Sequence, residues 1–125
     1  MRYDEFMKGV RDRAGLDRDQ AEKAVRATLN TLAQRLAGGE PRNLASQLPE
    51  ELKETVQLTA AAGAGASMSA EEFVRTVARR EGRPEEEAQK DVRAVLATLR
   101  DAVTEGEWDD IQSQLGREYR ELVPT

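Results

Sequence analysis

The sequence predicts an all-α fold: a tandem duplication of a four-helix unit, about eight helices in all, packed as one pseudo-twofold helical bundle. Three observations lead there. Shifting the chain by 67 residues aligns "EFMKGVRDRAGLDRDQAEKAVRATLNTLAQRL" with "EFVRTVARREGRPEEEAQKDVRAVLATLRDAV" without a gap. The register runs from residues 4–56 onto 71–123 with roughly 21 of 53 positions identical, the mark of a repeated structural unit. Apolar residues recur at helical spacing in both copies, and no segment has the β-branched alternation of a strand. The chain is 38% apolar, yet holds only one Trp, two Tyr and two Phe, so its core is of Leu, Val and Ala, as in helical bundles.

The first helix, about residues 4–14, sets Phe6, Val10 and Ala14 on one stripe, and Gly15 follows as a residue free to take positive φ. Its copy uses Phe73 and Val77 before Gly82. The second helix, about 17–37, opens at Asp17 with Gln20 at capping-box spacing and buries Ala21, Val25, Leu29, Leu32 and Leu36. Its copy opens with Pro84 and three glutamates, Glu85 to Glu87, at the positive end of the helix dipole. The buried stripe there is Ala88, Val92, Leu96, Leu99 and Val103. Shorter helices are expected at about 41–48 and 50–58, then at about 108–115 and 117–123.

Residues 1–58 are thus the first repeat and 68–125 the second, joined by "TAAAGAGAS" at 59–67, where Gly63 and Gly65 favour a flexible connector. A unit of about 53 residues buries too little apolar surface to stand alone, so the halves are expected to form a single domain. Gly39 and Gly106 are read as stops for the long helices, with Glu40 and Glu107 stabilising the short helices that follow. Pro49 and Gly116 end those short helices by different routes, proline by starting the next helix and glycine by a left-handed turn.

The run "TLAQRLAGGEPRNLASQLPEEL", with "YDEFMKGV" upstream, resembles the bacterial family catalogued as domain of unknown function 2267. Its most specific part is Arg35-Leu36, Gly39-Glu40, Leu44 and Gln47-Leu48-Pro49, and the similarity covers nearly the whole chain. The resemblance implies a small, soluble, helical bacterial protein and brings no catalytic residues. The second half departs from the pattern, with Trp108 in place of Pro41 and Gly116 in place of Pro49.

Composition narrows the function classes. Without Cys there is no disulfide or thiol chemistry, and without His the commonest general base and zinc ligand are missing. No apolar run reaches the roughly 18 residues that span a bilayer, and the N-terminus lacks a signal pattern, so a cytoplasmic protein without membrane contact is expected. The net charge of −5 falls on the second half, with about nine basic and fourteen acidic residues against about ten of each before it. Nucleic acid is therefore not an expected partner. No cofactor, metal site or catalytic residue is assigned, and the chain is read as non-enzymatic.

Each candidate site has a bland counterpart. Glu40 and Glu107 would form an acid/base pair if the twofold brought them together, against the favoured helix-end role. Arg26 and Arg93 match an anion, but the favoured reading has them pinning the 38–44 turn and its copy through loop carbonyls or these glutamates. Gln47 and Gln114, with Ser46 and Ser113, line a pocket or, as favoured, satisfy helix ends. The acidic run Glu105, Glu107, Asp109 and Asp110 lacks the spacing of a calcium loop and reads as a first helical turn.

Asymmetric features are the better functional clues. Arg75, Arg79 and Arg83 form a basic strip at spacing four where the first half has Lys8, Asp12 and Leu16, and Trp108 is the single Trp. These four residues are the partner-binding candidates. The expected function is a protein-interaction or scaffold module, with a protein partner or a second copy of the chain as ligand. A small-molecule or anion binder at the repeat junction is the alternative, and a nucleic-acid-binding regulator comes third.

Overall fold

A computed structural model describes residues 1–62 and 65–124 and, of residues 60–62, the backbone only. Seven α-helices and one 3₁₀ turn account for the described residues, with no strand among them. The helices are α1 (Tyr3–Ala14), α2 (Arg18–Arg35), α3 (Glu40–Gln47), α4 (Glu50–Ala62), α5 (Ala70–Glu81), α6 (Glu85–Ala102) and α7 (Glu105–Leu115), and the turn is Arg117–Tyr119. The eighth helix expected at 117–123 is absent. Gly116, at φ 82° and ψ 177°, extends the chain after α7 instead of winding it, and only glycine adopts that conformation readily.

Local signals set most boundaries. Asp17 accepts a hydrogen bond from the Gln20 amide at 2.8 Å and opens α2, and Ser69 with Glu72 caps α5 reciprocally. Gly15 and Gly82 both end their helices in the left-handed conformation, at φ 68° and 71°. Two expected stops are corrected. Extended Leu36 and Val103 end α2 and α6, while Gly39 takes the N-cap position of α3 and Gly106 lies inside α7. Thr104 is the reason: its hydroxyl accepts from the Glu107 amide and starts α7 three residues earlier than expected. Pro49 stands one residue before α4 rather than within its first turn.

One core holds residues of both halves, among them Phe6, Leu29 and Leu32 with Phe73, Leu96 and Leu99. The long helices α2 and α6 touch at its centre, α1 packs on α6 as well as on α2, and α5 packs on α2 as well as on α6. Polar contacts follow the same exchange. Arg13 donates to the Thr98 hydroxyl at 2.8 Å, and Arg80 donates to the Thr31 hydroxyl at 3.0 Å. Gln47 accepts from the Thr104 amide at 2.7 Å, and Gln114 accepts from the Ala37 amide at 2.8 Å. In each couple donor and acceptor are displaced by the same 67 residues. Gly9 lets α1 close on α6, since a Cβ there would lie 3.0 Å from the Thr98 methyl carbon.

The connector is tied down where it is described. Helix α4 runs on through the alanines to Ala62, and Gly63 and Ala64, part of the expected flexible segment, lie outside the described residues. The Gly65 and Ala66 amides then donate to the Leu36 and Gln34 carbonyls at 2.8 and 2.9 Å. Buried Tyr119 donates to the Met68 carbonyl at 2.6 Å and meets Phe73 edge to face, fastening the C-terminal turn over the end of the connector.

Candidate functional site

Two acidic features distinguish the molecule. The first forms where α3 meets α7. Glu40 is the first residue of α3, Glu107 the third of α7, and Asp110 stands nearly one turn further along α7 on the same side. Carboxylate oxygens of all three lie within 4.8 Å of one another. Glu40 is 7% exposed and Glu107 5%, whereas Asp110 faces solvent. Glu40 Oε1 and Glu107 Oε2 are buried without a hydrogen-bond partner, and no ion pair joins any of the three to Lys or Arg among the described residues. Burial pushes the Glu107 carboxyl up to about 8, helped by the adjacent Glu40 carboxylate and by the charge of Asp110. Separate helix-end roles for the two glutamates therefore describe only half of the arrangement.

The basic strip is broken up. Arg83 turns inward, its Nε 2.8 Å from Asp91 and 3.3 Å from Glu81, with Nη2 3.3 Å from Glu87. Glu81 and Asp91 are buried. Burial raises the Glu81 carboxyl to about 8, reinforced by a hydrogen bond with Asp91 and by its charge, while Arg83 pulls the other way. Arg83 is thus drawn off the α5 face, its side chain only 20% exposed and its charge met by these three acids. Arg75, 4.0 Å from Glu85, and Arg79 remain exposed on α5. Trp108, at 5% exposure, is part of the core and cannot anchor a surface partner.

Arg26 and Arg93 are placed away from the turns they were expected to pin. Arg26 bonds Glu22 and the Thr55 hydroxyl at 3.2 and 2.9 Å, tying α2 to α4. Arg93 donates to a carbonyl, that of Glu121 at 2.7 Å, in the C-terminal turn. Neither reaches the 38–44 turn or its copy. Gln47 and Gln114 satisfy backbone amides across the two halves, as given above. Arg35 caps α7 through the Gln114 and Leu115 carbonyls and lies 5.5 Å from the Tyr119 ring centre.

The second feature is an open cleft of about 350 Å³ at α5 and α6. Val74 and Leu122 give it an apolar lining, and Glu71, Glu86, Glu118 and Glu121 surround Arg75 with negative charge. A cleft of about 340 Å³ occurs at α1 and α2, where Lys8, Arg11 and Arg18 stand among its lining residues. Most of the lining positions correspond at the 67-residue offset, so matching hollows carry different charge.

Sequence reasoning missed Glu81, Asp91 and Tyr119. The offset itself carries the signal for the first two: Ala14, Leu16 and Ala24 become Glu81, Arg83 and Asp91. Three positions that meet in the fold are charged together where the residues 67 places earlier are apolar, the pattern of a buried ionic cluster.

The architecture defines an all-helical protein with charged crevices at the meeting points of its helices. Residues 3–122 match the family described as "Uncharacterized conserved protein (DUF2267)", and the chain belongs to that family. A search of curated proteins returns no match. None of the described helices is long and apolar enough to cross a membrane.

Proposed function

We propose that the chain is a non-enzymatic interaction module, made by tandem duplication of one helical unit folded about a pseudo-twofold axis, and that its α5–α6 cleft receives a basic segment of a partner protein. The duplication is supported by the paired contacts at a constant offset, Arg13 to Thr98 against Arg80 to Thr31 and Gln47 to Thr104 against Gln114 to Ala37. It is supported too by the meeting of the equivalent residues Glu40 and Glu107, as neighbours of a twofold axis would meet.

The cleft carries the functional reading, because shared architecture does not require it to be acidic. Its counterpart at α1 and α2 has Arg18 where the second half has Glu85. The partner's charge is therefore the reverse of that suggested by an exposed arginine strip. Carboxylates around apolar side chains suit Lys or Arg side chains with apolar stems. The alternative of an anion at the junction of the halves gains nothing from this arrangement, since carboxylates meet there.

A fluorescent amphipathic Lys/Leu peptide titrated into the protein tests the reading. Binding is expected in the micromolar range, weakened about tenfold by the paired exposed substitutions Glu118→Lys and Glu121→Lys and by raising salt from about 0.05 to 0.5 M. Absence of binding at about 100 μM protein, or affinity indifferent to both changes, sinks it.

A further inference from the structure

We infer that Glu40, Glu107 and Asp110 form a site for a hard divalent cation of about the size of Ca²⁺, at the junction of α3 and α7. The inference is independent of the α5–α6 cleft. Three carboxylates from two helices converge with their oxygens inside a 4.8 Å span. Two oxygens bound to one Ca²⁺ at about 2.4 Å each are at most about 4.8 Å apart, so the span admits an ion of that size, and Mg²⁺, which demands near-ideal octahedral geometry at about 2.1 Å, suits a carboxylate cluster fixed by two helices less well. Convergence alone would be an acidic patch. What points to a ligand is that Glu40 Oε1 and Glu107 Oε2 are buried and unpartnered, on residues only 7% and 5% exposed. Buried carboxylate oxygens without a donor demand compensation, and among the described residues no Lys or Arg forms an ion pair with them.

The arrangement also states how an ion would enter. Asp110 is the solvent-facing member, so water reaches that side and completes the coordination, while the two glutamates hold the inner side. The N-terminal turns of α3 and α7 already offset part of the negative charge. Affinity is therefore expected in the weaker range of calcium sites, about 10⁻⁴ to 10⁻³ M. Glu40 and Glu107 lie 67 positions apart in sequence, on helices from opposite halves, so a bound ion would clamp the halves to each other.

Trp108, next to Glu107 and the only Trp of the chain, provides the readout. Tb³⁺, a luminescent stand-in for Ca²⁺, is titrated into the full chain while Trp108 is excited. The expected result is saturable sensitised emission at one ion per chain, displaced by Ca²⁺ more effectively than by Mg²⁺. Asp110→Asn, an exposed change that leaves the interior intact, is expected to weaken binding about tenfold or more, and Glu107→Gln to abolish it. Emission that is absent, or unaltered in Asp110→Asn, overturns the site. So does displacement by monovalent salt as readily as by Ca²⁺, because that result describes diffuse surface attraction.

Discussion

Replacing Arg83 by Leu alone is expected to destabilise the protein by about 3–5 kcal/mol, the usual cost of removing one partner from a buried ionic cluster. Arg83 compensates two buried acids at once, Asp91 at 2.8 Å and Glu81 at 3.3 Å. Without it both stay in the interior, and part of the cost is relieved only by protonation. The triple change Glu81→Ala, Arg83→Leu and Asp91→Ala installs the residues of the first half, Ala14, Leu16 and Ala24. It is expected to recover the loss and to match or exceed the parent stability, because apolar replacements of buried ion clusters are often neutral or stabilising by about 1–4 kcal/mol. Urea unfolding of the three proteins decides the matter. A single variant within about 1 kcal/mol of the parent, or a triple variant as unstable as the single, would show that the cluster is not energetically one unit.

The second large effect is a fall in stability as pH rises from about 5 to about 9. The Glu81 carboxyl is raised from 4.5 to about 8, by burial first and then by Asp91. Between those values the folded protein holds a proton that the unfolded chain releases, so the slope of stability against pH is negative. This contribution is fully present below about 4.5 and is lost as pH passes through about 8. The facing groups are Asp91 and Arg83, and only Arg83 opposes the shift. One group changes stability by at most about 1.4 kcal/mol per pH unit in the window, so a loss of a few kcal/mol and a Tm lower by roughly 5–15 °C are expected. Glu81→Gln should flatten the profile, leaving the slope due to Glu107, also raised to about 8. Asp12, held low mainly by its Lys8 hydrogen bond, and Glu72, held low by the Ser69 amide, are exposed and act below this window. A Tm that climbs between pH 5 and 9, or a Glu81→Gln profile parallel to the parent's, contradicts this assignment.

Much of the fold was legible because local chemistry and global packing agree. The stripes Ala21–Val25–Leu29–Leu32 and Ala88–Val92–Leu96–Leu99 are buried on α2 and α6, and Gly15 and Gly82 terminate helices as their position suggests. The misreadings came where a local rule had two solutions. Gly106 looked like a stop, but Thr104 offered a cap two residues earlier and absorbed the glycine into α7. Gly116 ends α7 at positive φ as expected, yet its extended ψ converts the next helix into a single 3₁₀ turn.

The candidate sites were less legible because they depend on which halves touch. Glu40 and Glu107 are 67 positions apart in the sequence, and only the meeting of α3 and α7 turns two helix starts into one cluster with Asp110. The arginine strip failed for the opposite reason. Spacing put Arg75, Arg79 and Arg83 on one face, but Arg83 follows Gly82, whose left-handed turn ends the helix. Arg83 therefore leaves that face and is drawn to Asp91. Trp108 illustrates a related limit: a lone aromatic at a helix entry has no periodic partners from which burial could be read.

The proposed duplication makes each half the completion of the other, and residues 1–62 expressed alone test it most directly. In that fragment α1 and α2 lack α6 and α5, and Arg13 and Gln47 lose Thr98 and Thr104. Sedimentation equilibrium combined with thermal unfolding by circular dichroism should find no cooperatively folded monomer. Helical structure should appear only as a concentration-dependent dimer, in which a second copy supplies the equivalent Thr31 and Ala37. A monomer that unfolds in one sharp, concentration-independent transition would contradict the account.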